Sequence, residues 1–336
     1  MLVERNSNIE ALRIVAMFMV LALHVNFMSI GEPTTAEAII EPFPTFLRVF
    51  FQQFANIAVD LFVLISGWYG IKCSVRGVAK FLFQSVFIIT FMYVLGLLMG
   101  YAALEPKQIL ECLLLENNAW FVKCYLALFI LSPVLNIYCQ NTTERQQRNL
   151  LIGFYVFQTV FGAFTMSASF IKAGFSTFSF VGLYLLARYM RVYGQRIWIY
   201  SKWIYVISII GSVLWFYLPL RFGVMRLAYM SILYTSPFCI TGALGLVMWI
   251  ANMPPKRNRY VNFLAVSCFA VFLCHACNVW TVKEFVALAK KIYDLYSGLL
   301  YIIVIVAYMT IVFGLSIAID QLRKYAWSFL DKCTHL

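Results

Sequence analysis

Residues 5–26 read RNSNIEALRIVAMFMVLALHVN, and the fold class of the whole chain follows from this stretch. It is an apolar helix, long enough to enter a bilayer, with two ionisable residues where lipid-facing helices avoid them. Arg13 sits about one turn inside the membrane, and His24 follows eleven residues later. At a rise of 1.5 Å per residue that separation is roughly 16 Å, about three turns, so both side chains leave nearly the same face. A charge near a bilayer centre costs roughly 2.5–3.5 kcal/mol on insertion scales, and such residues persist when they face the bundle interior. One cation near one surface and one imidazole deeper in point to a site that crosses the bilayer.

The rest of the chain agrees. Of 336 residues, 63% are apolar and only 12% charged, with a mean hydropathy of +0.83. A soluble domain carries about 25% charged residues. Apolar runs long enough to span a bilayer recur, which predicts one all-α, polytopic membrane bundle over residues 1–336. Ten helices are expected, over 9–30, 46–71, 81–101, 119–138, 150–166, 174–193, 203–220, 227–253, 261–281 and 299–319. By these boundaries sixteen Lys and Arg lie on one side, nine on the other, and Arg13 within the membrane. The positive-inside pattern then puts both termini in the cytoplasm, residues 254–259 (PPKRNR) in an inner loop, and 31–45 and 102–118 outside. A short interfacial helix is expected within the second outer loop. The first helix is expected to remain as a signal anchor.

The net charge of +12 therefore belongs to topology, and no nucleic-acid partner is expected. Cys274 and Cys277 form a lone C-x-x-C inside an apolar helix and read as small core residues. Asn141-Thr142-Thr143 matches a glycosylation acceptor but falls on the inner side. No phosphate-binding loop, dinucleotide motif or metal-ligand cluster is present, so no metal is expected.

Three histidines remain to be placed. His335 lies in the tail. His24 and His275 each lie about fifteen residues from the inner end of their helices, hence at similar depth in the outer half of the membrane. Asp60, in AVDLFVLISGWYG, is a mid-membrane carboxylate able to orient an imidazole or to pair with a cation. Ser66-Gly67 follows, and such a pair in a membrane helix reads first as a close-packing spot or kink. Trp120, Phe121 and Tyr125 open the fourth helix, either as an interfacial aromatic belt or as a platform for a sugar ring.

These pieces occur together in one family. The chain resembles acyltransferase family 3, integral-membrane bacterial enzymes that O-acetylate cell-surface sugars. Four phrases carry the resemblance, in order. They are EALRIVAMFMVLALH with Arg13 and His24, VDLFVLISGWYG, WFVKCYLALFILSP from Trp120 to Pro133, and FAVFLCH ending in His275. Family members often carry Arg-x-x-Arg near the inner end of the third helix, whereas this chain has Lys72, Arg76 and Lys80 there. No further domain is expected after the tenth helix.

The resemblance implies transfer of an acyl group, acetyl in the first instance, from cytoplasmic acyl-CoA to a hydroxyl of a cell-surface glycan or lipid-linked sugar. It implies a multi-pass protein of the bacterial inner membrane. Arg13, Arg76 and Lys80, with Arg5, Ser66 and Gly67, would lie along the donor's path. His24 would be the base, with His275 and Asp60 assisting, and an acyl-imidazole intermediate stays open. Trp120, Phe121 and Tyr125 would meet the acceptor. A polar tunnel from Arg13 to His24 is expected. The competing reading is a proton-coupled transporter or flippase of a polysaccharide precursor.

Overall fold

The computed structural model describes residues 6–116, 119–164 and 171–334, so Arg5, His335 and residues 165–166 of the expected fifth helix lie outside the described residues. Among the described residues every regular element is helical. α1 (Ser7–Leu23) is capped by Asn6, whose side chain accepts the Asn8 N–H. It widens into a π-helical turn at His24–Met28. The expected outer loop 31–45 instead contains α2 (Thr35–Ile40), because Thr34 and Glu37 form a reciprocal capping box. Pro42 then opens α3 (Pro42–Asn56), since its missing N–H is no loss in a first turn.

α3 passes through Ile57 into α4 (Ala58–Tyr69). Next come α5 (Val75–Leu98) and α6 (Pro106–Cys112), the short helix of the second outer loop. α7 (Trp120–Asn141) and α8 (Glu144–Gln158) follow, and α8 widens into a π-turn at Thr159–Phe164. α9 (Thr177–Tyr193), α10 (Gln195–Trp198) and α11 (Ser201–Arg221) come next. The last third holds α12 (Met225–Ile232), α13 (Pro237–Ala251), α14 (Arg259–Ser267), α15 (Phe269–Ala276), α16 (Val279–Leu295) and α17 (Gly298–Thr334).

Among the described residues, eight helical segments are long and apolar enough to cross a membrane. The expected fifth and sixth helices exist as α8 and α9 but are not among these eight. α8 starts on a polar first turn, and α9 has only 17 residues. Three further expectations are corrected. The eighth helix is two, α12 and α13, separated at 233–236 where Pro237 opens the second. The ninth breaks at Cys268 and ends at Ala276, and α16 occupies a stretch expected as loop. The tenth helix, expected to end at 319, runs on as α17 to Thr334.

A buried ion pair holds the first turn of that extension. Asp320 is 0% exposed and Arg323 2%. The Asp320 Oδ1 accepts from Arg323 Nη2 at 2.7 Å and from Gln84 of α5 at 3.1 Å. Removing one partner of such a pair costs roughly 3–5 kcal/mol, so the helix cannot fray there cheaply.

Lipid tails are as apolar as Leu, so membrane helices associate through close packing rather than hydrophobic drive. α4 and α9 illustrate this at Gly67. A Cβ there would lie 2.7 Å from the Tyr184 carbonyl oxygen and 2.9 Å from the Ala187 Cβ. Gly70 then ends α4 in a left-handed conformation, φ 78°, which suits a residue without Cβ. The chain past this turn is fixed by Tyr184, whose hydroxyl accepts the Ile71 N–H at 3.0 Å and donates to Asn136 Oδ1 at 2.7 Å.

This contact gives a stability test. Gly67→Val should lower the stability of the detergent-solubilised protein by about 1–3 kcal/mol or more, read as a fall in its thermal midpoint. Gly314→Ala, where an added Cβ meets nothing within 4 Å, should be neutral or stabilising by up to about 1 kcal/mol. Equal losses from both would show that the α4–α9 approach is not the cause.

Candidate functional site

The two membrane histidines meet. Nδ1 of His24 and Nε2 of His275 are 3.0 Å apart, and the rings are tilted by 53°. His24 is the first residue of the π-turn, a feature frequent at functional sites. A π-turn strains the carbonyl ladder, and here the Ser29 hydroxyl donates to the His24 carbonyl at 2.6 Å. His275 is 4% exposed and sits near the end of α15. Its Nδ1 bonds the Val271 carbonyl, and the Phe285 ring lies 5.1 Å away.

This arrangement fixes where the protons are. A carbonyl only accepts, so His275 must carry a proton on Nδ1. With that ring neutral, its Nε2 is a lone pair and accepts from Nδ1–H of His24. His24, when neutral, then has a bare Nε2, which has no hydrogen-bond partner among the described residues. A nitrogen left bare in this way, with its tautomer imposed from behind, is able to accept a proton.

His24 also separates two cavities. The inner one, of about 90 Å³, runs along Met17, Val20 and Leu23 of α1 and Val59 and Phe62 of α4. The outer one, of about 200 Å³, is walled by Met28, Ala119, His275 and Val282 among others. His24, Trp120 and Phe272 line both. The inner walls correct the expectation of a polar tunnel. They are aliphatic and aromatic, and they start at Met17, one turn short of Arg13.

The aromatic residues of α7 face inward. Trp120 packs at 4.5 Å against Phe175, and Phe121 is 7% exposed and lines the inner cavity. They are walls of the site rather than a lipid-facing belt. Tyr125, in the second turn of α7, shares a 2.9 Å hydrogen bond with Ser66. Ser66 itself donates to the Phe62 carbonyl, and Gly67 serves the α4–α9 contact.

Asp60 is not brought to either imidazole. It is 1% exposed, and the Cys239 thiol donates to it at 3.6 Å. Of the two groups expected to assist His24, the structure brings His275 to it and leaves Asp60 apart.

At the inner end, Arg13 pairs with Glu10 at 2.9 Å and is 31% exposed. Arg191 of α9 lies 5.3 Å over the Tyr69 ring and donates to the Trp68 carbonyl. Arg191, Arg13 and Glu10 all act electrostatically on Tyr69. Arg188 closes the group from the side of Gly70, 3.0 Å from where a Cβ would stand. Arg76 pairs instead with Asp331 of α17, and Lys80 is exposed near Lys324. Reading the sequence for topology counted Arg188 and Arg191 only as inner-side charges. Their i, i+3 spacing on a helix face was the available signal. Glu10, one turn before Arg13, was the other.

Apolar helices thus surround an imidazole pair with a cavity on either side, an arrangement able to take up and return a proton. Over residues 6–320 the chain matches the family described as acyltransferase domain, acyltransferase family 3. The chain belongs to this family, and it is a multi-pass membrane acyltransferase. No curated protein and no solved structure matches it.

The proton arrangement is measurable. Nitrogen NMR of the ¹⁵N-histidine protein in nanodiscs should find neutral His24 protonated on Nδ1, with Nε2 bare. In His275→Phe that preference should disappear. A neutral His24 protonated on Nε2 in the intact protein would contradict the relay.

Proposed function

We propose that the chain moves an acyl group, acetyl in the first instance, from cytoplasmic acyl-CoA to a hydroxyl of an extracytoplasmic glycan or lipid-linked sugar. In this reading it works in the bacterial inner membrane. The observation that carries the proposal is His24, tautomer-fixed by His275, between a cavity on each side of it. An acyl transfer between two compartments needs this layout: one base, reached by the donor from within and by the acceptor from without.

The donor's phosphates would stay at the cytoplasmic mouth. Arg13, Arg191 and Arg188 gather around the inner end of α4, and guanidinium groups suit phosphate through several fixed donors. Arg76 and Lys80 stand further along the same side, the former already engaged with Asp331. The pantetheine arm would enter past Met17 toward His24, leaving the nucleotide outside, because the inner cavity is narrow. Ser66 and Gly67 of α4 lie behind this path.

The step itself balances simply. The acceptor hydroxyl oxygen attacks the thioester carbonyl carbon while Nε2 of His24 takes its proton. The C–S bond breaks, and the thiolate leaves with the proton that His24 returns. During the step His24 is an imidazolium, and its Nδ1–H donates to Nε2 of His275, which strengthens as charge develops. Trp120 and Phe121 would form the platform on which the acceptor rests. A transporter of the same precursor would share the two-sided cavity but would not consume acyl-CoA.

Two variants test the assignment. His24→Ala should remain folded and inserted while acyl transfer falls at least about a hundredfold, the lower bound for loss of a general base. Normal turnover in that protein would sink the proposal, and release of no CoA thiol by the wild type would favour transport. Arg13→Lys keeps the charge but loses the fixed fork of donors. It should weaken acyl-CoA binding about tenfold, measured on detergent-purified protein. CoA affinity unchanged in Arg13→Ala would leave Arg13 only its pairing with Glu10.

A further inference from the structure

The two cavities share one property. Apart from the imidazoles, none of the described side chains lining them carries a charge. The nearest basic residue along α1 is Arg13, one turn inward of Met17, and it is already paired with Glu10. An acyl group carried on a thioester has to reach His24, and there it meets the three side chains common to both cavities. Two of these are the Trp120 and Phe272 rings. Phe272 is itself held by Phe121, 5.7 Å away, and by Phe269 at 6.2 Å. The acyl chain is therefore received by aromatic and aliphatic walls on every described side.

Size adds a second limit. A dry apolar cavity of about 150 Å³ accommodates benzene, with six heavy atoms. By that measure the inner cavity, about 90 Å³, has room for roughly four. The outer cavity cannot be lent to a long chain, because the acceptor must occupy it.

Resting on the acyl-CoA reading above, we infer that this enzyme transfers short, uncharged acyl groups of up to about four heavy atoms, the size of propionyl, and rejects acyl groups ending in a carboxylate. Phe272 is the residue that limits chain length. A succinyl or malonyl group would bring its carboxylate into the cavities with no cation to pair with, and only neutral donors there, the imidazoles, the Trp120 indole N–H and the Tyr234 hydroxyl. Burying an unpaired charge in such surroundings is among the most costly things a site can do.

The test is a thioester series. Inverted membrane vesicles containing the protein and the host's own envelope acceptor are given acetyl-, propionyl-, butyryl-, hexanoyl- or succinyl-CoA. Release of the CoA thiol is read, with His24→Ala vesicles subtracted. Acetyl and propionyl should be used at rates within about tenfold of one another, and butyryl, one heavy atom over the limit, no faster than either. Hexanoyl should be at least about tenfold slower than acetyl, and succinyl at least about a hundredfold slower. Phe272→Ala should raise the hexanoyl-to-acetyl ratio at least about tenfold, because the ring volume is released to both cavities. Succinyl used within threefold of acetyl would overturn the inference while leaving acyl transfer from CoA intact. Hexanoyl used as fast as acetyl by the wild type would overturn the length limit in the same way. No release with any thioester would overturn the reading on which the inference rests, and the inference with it.

Discussion

A helix cannot be interrupted inside hydrocarbon unless the backbone groups it frees find partners within the protein. This chain interrupts its helices repeatedly around one site, and polar side chains stand at several of these interruptions. The π-turn at His24 is met by the Ser29 hydroxyl on the His24 carbonyl. The end of α12 is met by Asn56, at the α3–α4 junction, donating to the Ile232 carbonyl at 2.9 Å. The gap between α15 and α16 is met by Asn278, which reaches the Ile89 carbonyl, and by Thr281, which donates to the Asn278 carbonyl. Gln53 ties α3 to both neighbours, donating to Ser231 and accepting from Ser212. The broken helices make room for cavities at mid-depth, and the amides and hydroxyls make the breaks tolerable.

That pattern explains which parts of the structure could be read from the sequence. Apolar runs reported where helices cross, because hydropathy is a property of residues one by one. Arg13, His24 and His275 stood out for the opposite reason, being ionisable where lipid forbids it. The breaks were hidden, since a run such as 227–253 has no charge to mark the interruption at 233–236. Only Pro237 hinted at it. The Thr34-x-x-Glu37 cap was legible in principle but lay in a stretch read as loop. α17 ran past its expected end because Arg323 and Lys324 look like a cytoplasmic flank, whereas Arg323 is buried against Asp320.

Partner choice was the least legible layer. Asp60 and His24 are both mid-membrane, and pairing a carboxylate with an imidazole is the commoner arrangement. The fold sends Asp60 to Cys239 on α13, and α15 supplies a second imidazole instead. A neutral partner changes the chemistry. A carboxylate behind a base stabilises the cation by full charge, while an imidazole does so by hydrogen bond and leaves the resting site uncharged. An uncharged resting site suits the apolar walls around it, because nothing there would solvate an ion.

A 3.0 Å contact between two helices depends on their register, and the register has a visible origin. His24 and His275 are 251 residues apart. So are Ser7 and Asn258, where the Asn258 N–H donates to the Ser7 hydroxyl at 2.7 Å. The offset is the same at the inner end of α1 and at the imidazoles, so α1 and the α14–α15 pair advance together over seventeen residues. Between these points the Cys268 thiol approaches the Arg13 carbonyl at 4.0 Å, where α14 gives way to α15. Ser7 also donates to the Asn262 side chain at 2.8 Å, which fixes rotation as well as height. A slip of one residue would move an imidazole by about 1.5 Å along its axis and about 100° around it. The rings would then no longer meet, and the tautomer that bares Nε2 of His24 would lose its cause. Ser7, the first residue of α1, and His24 just past its end are thus two ends of one registered helix pair. The cation at Arg13 lies on the same helix between them.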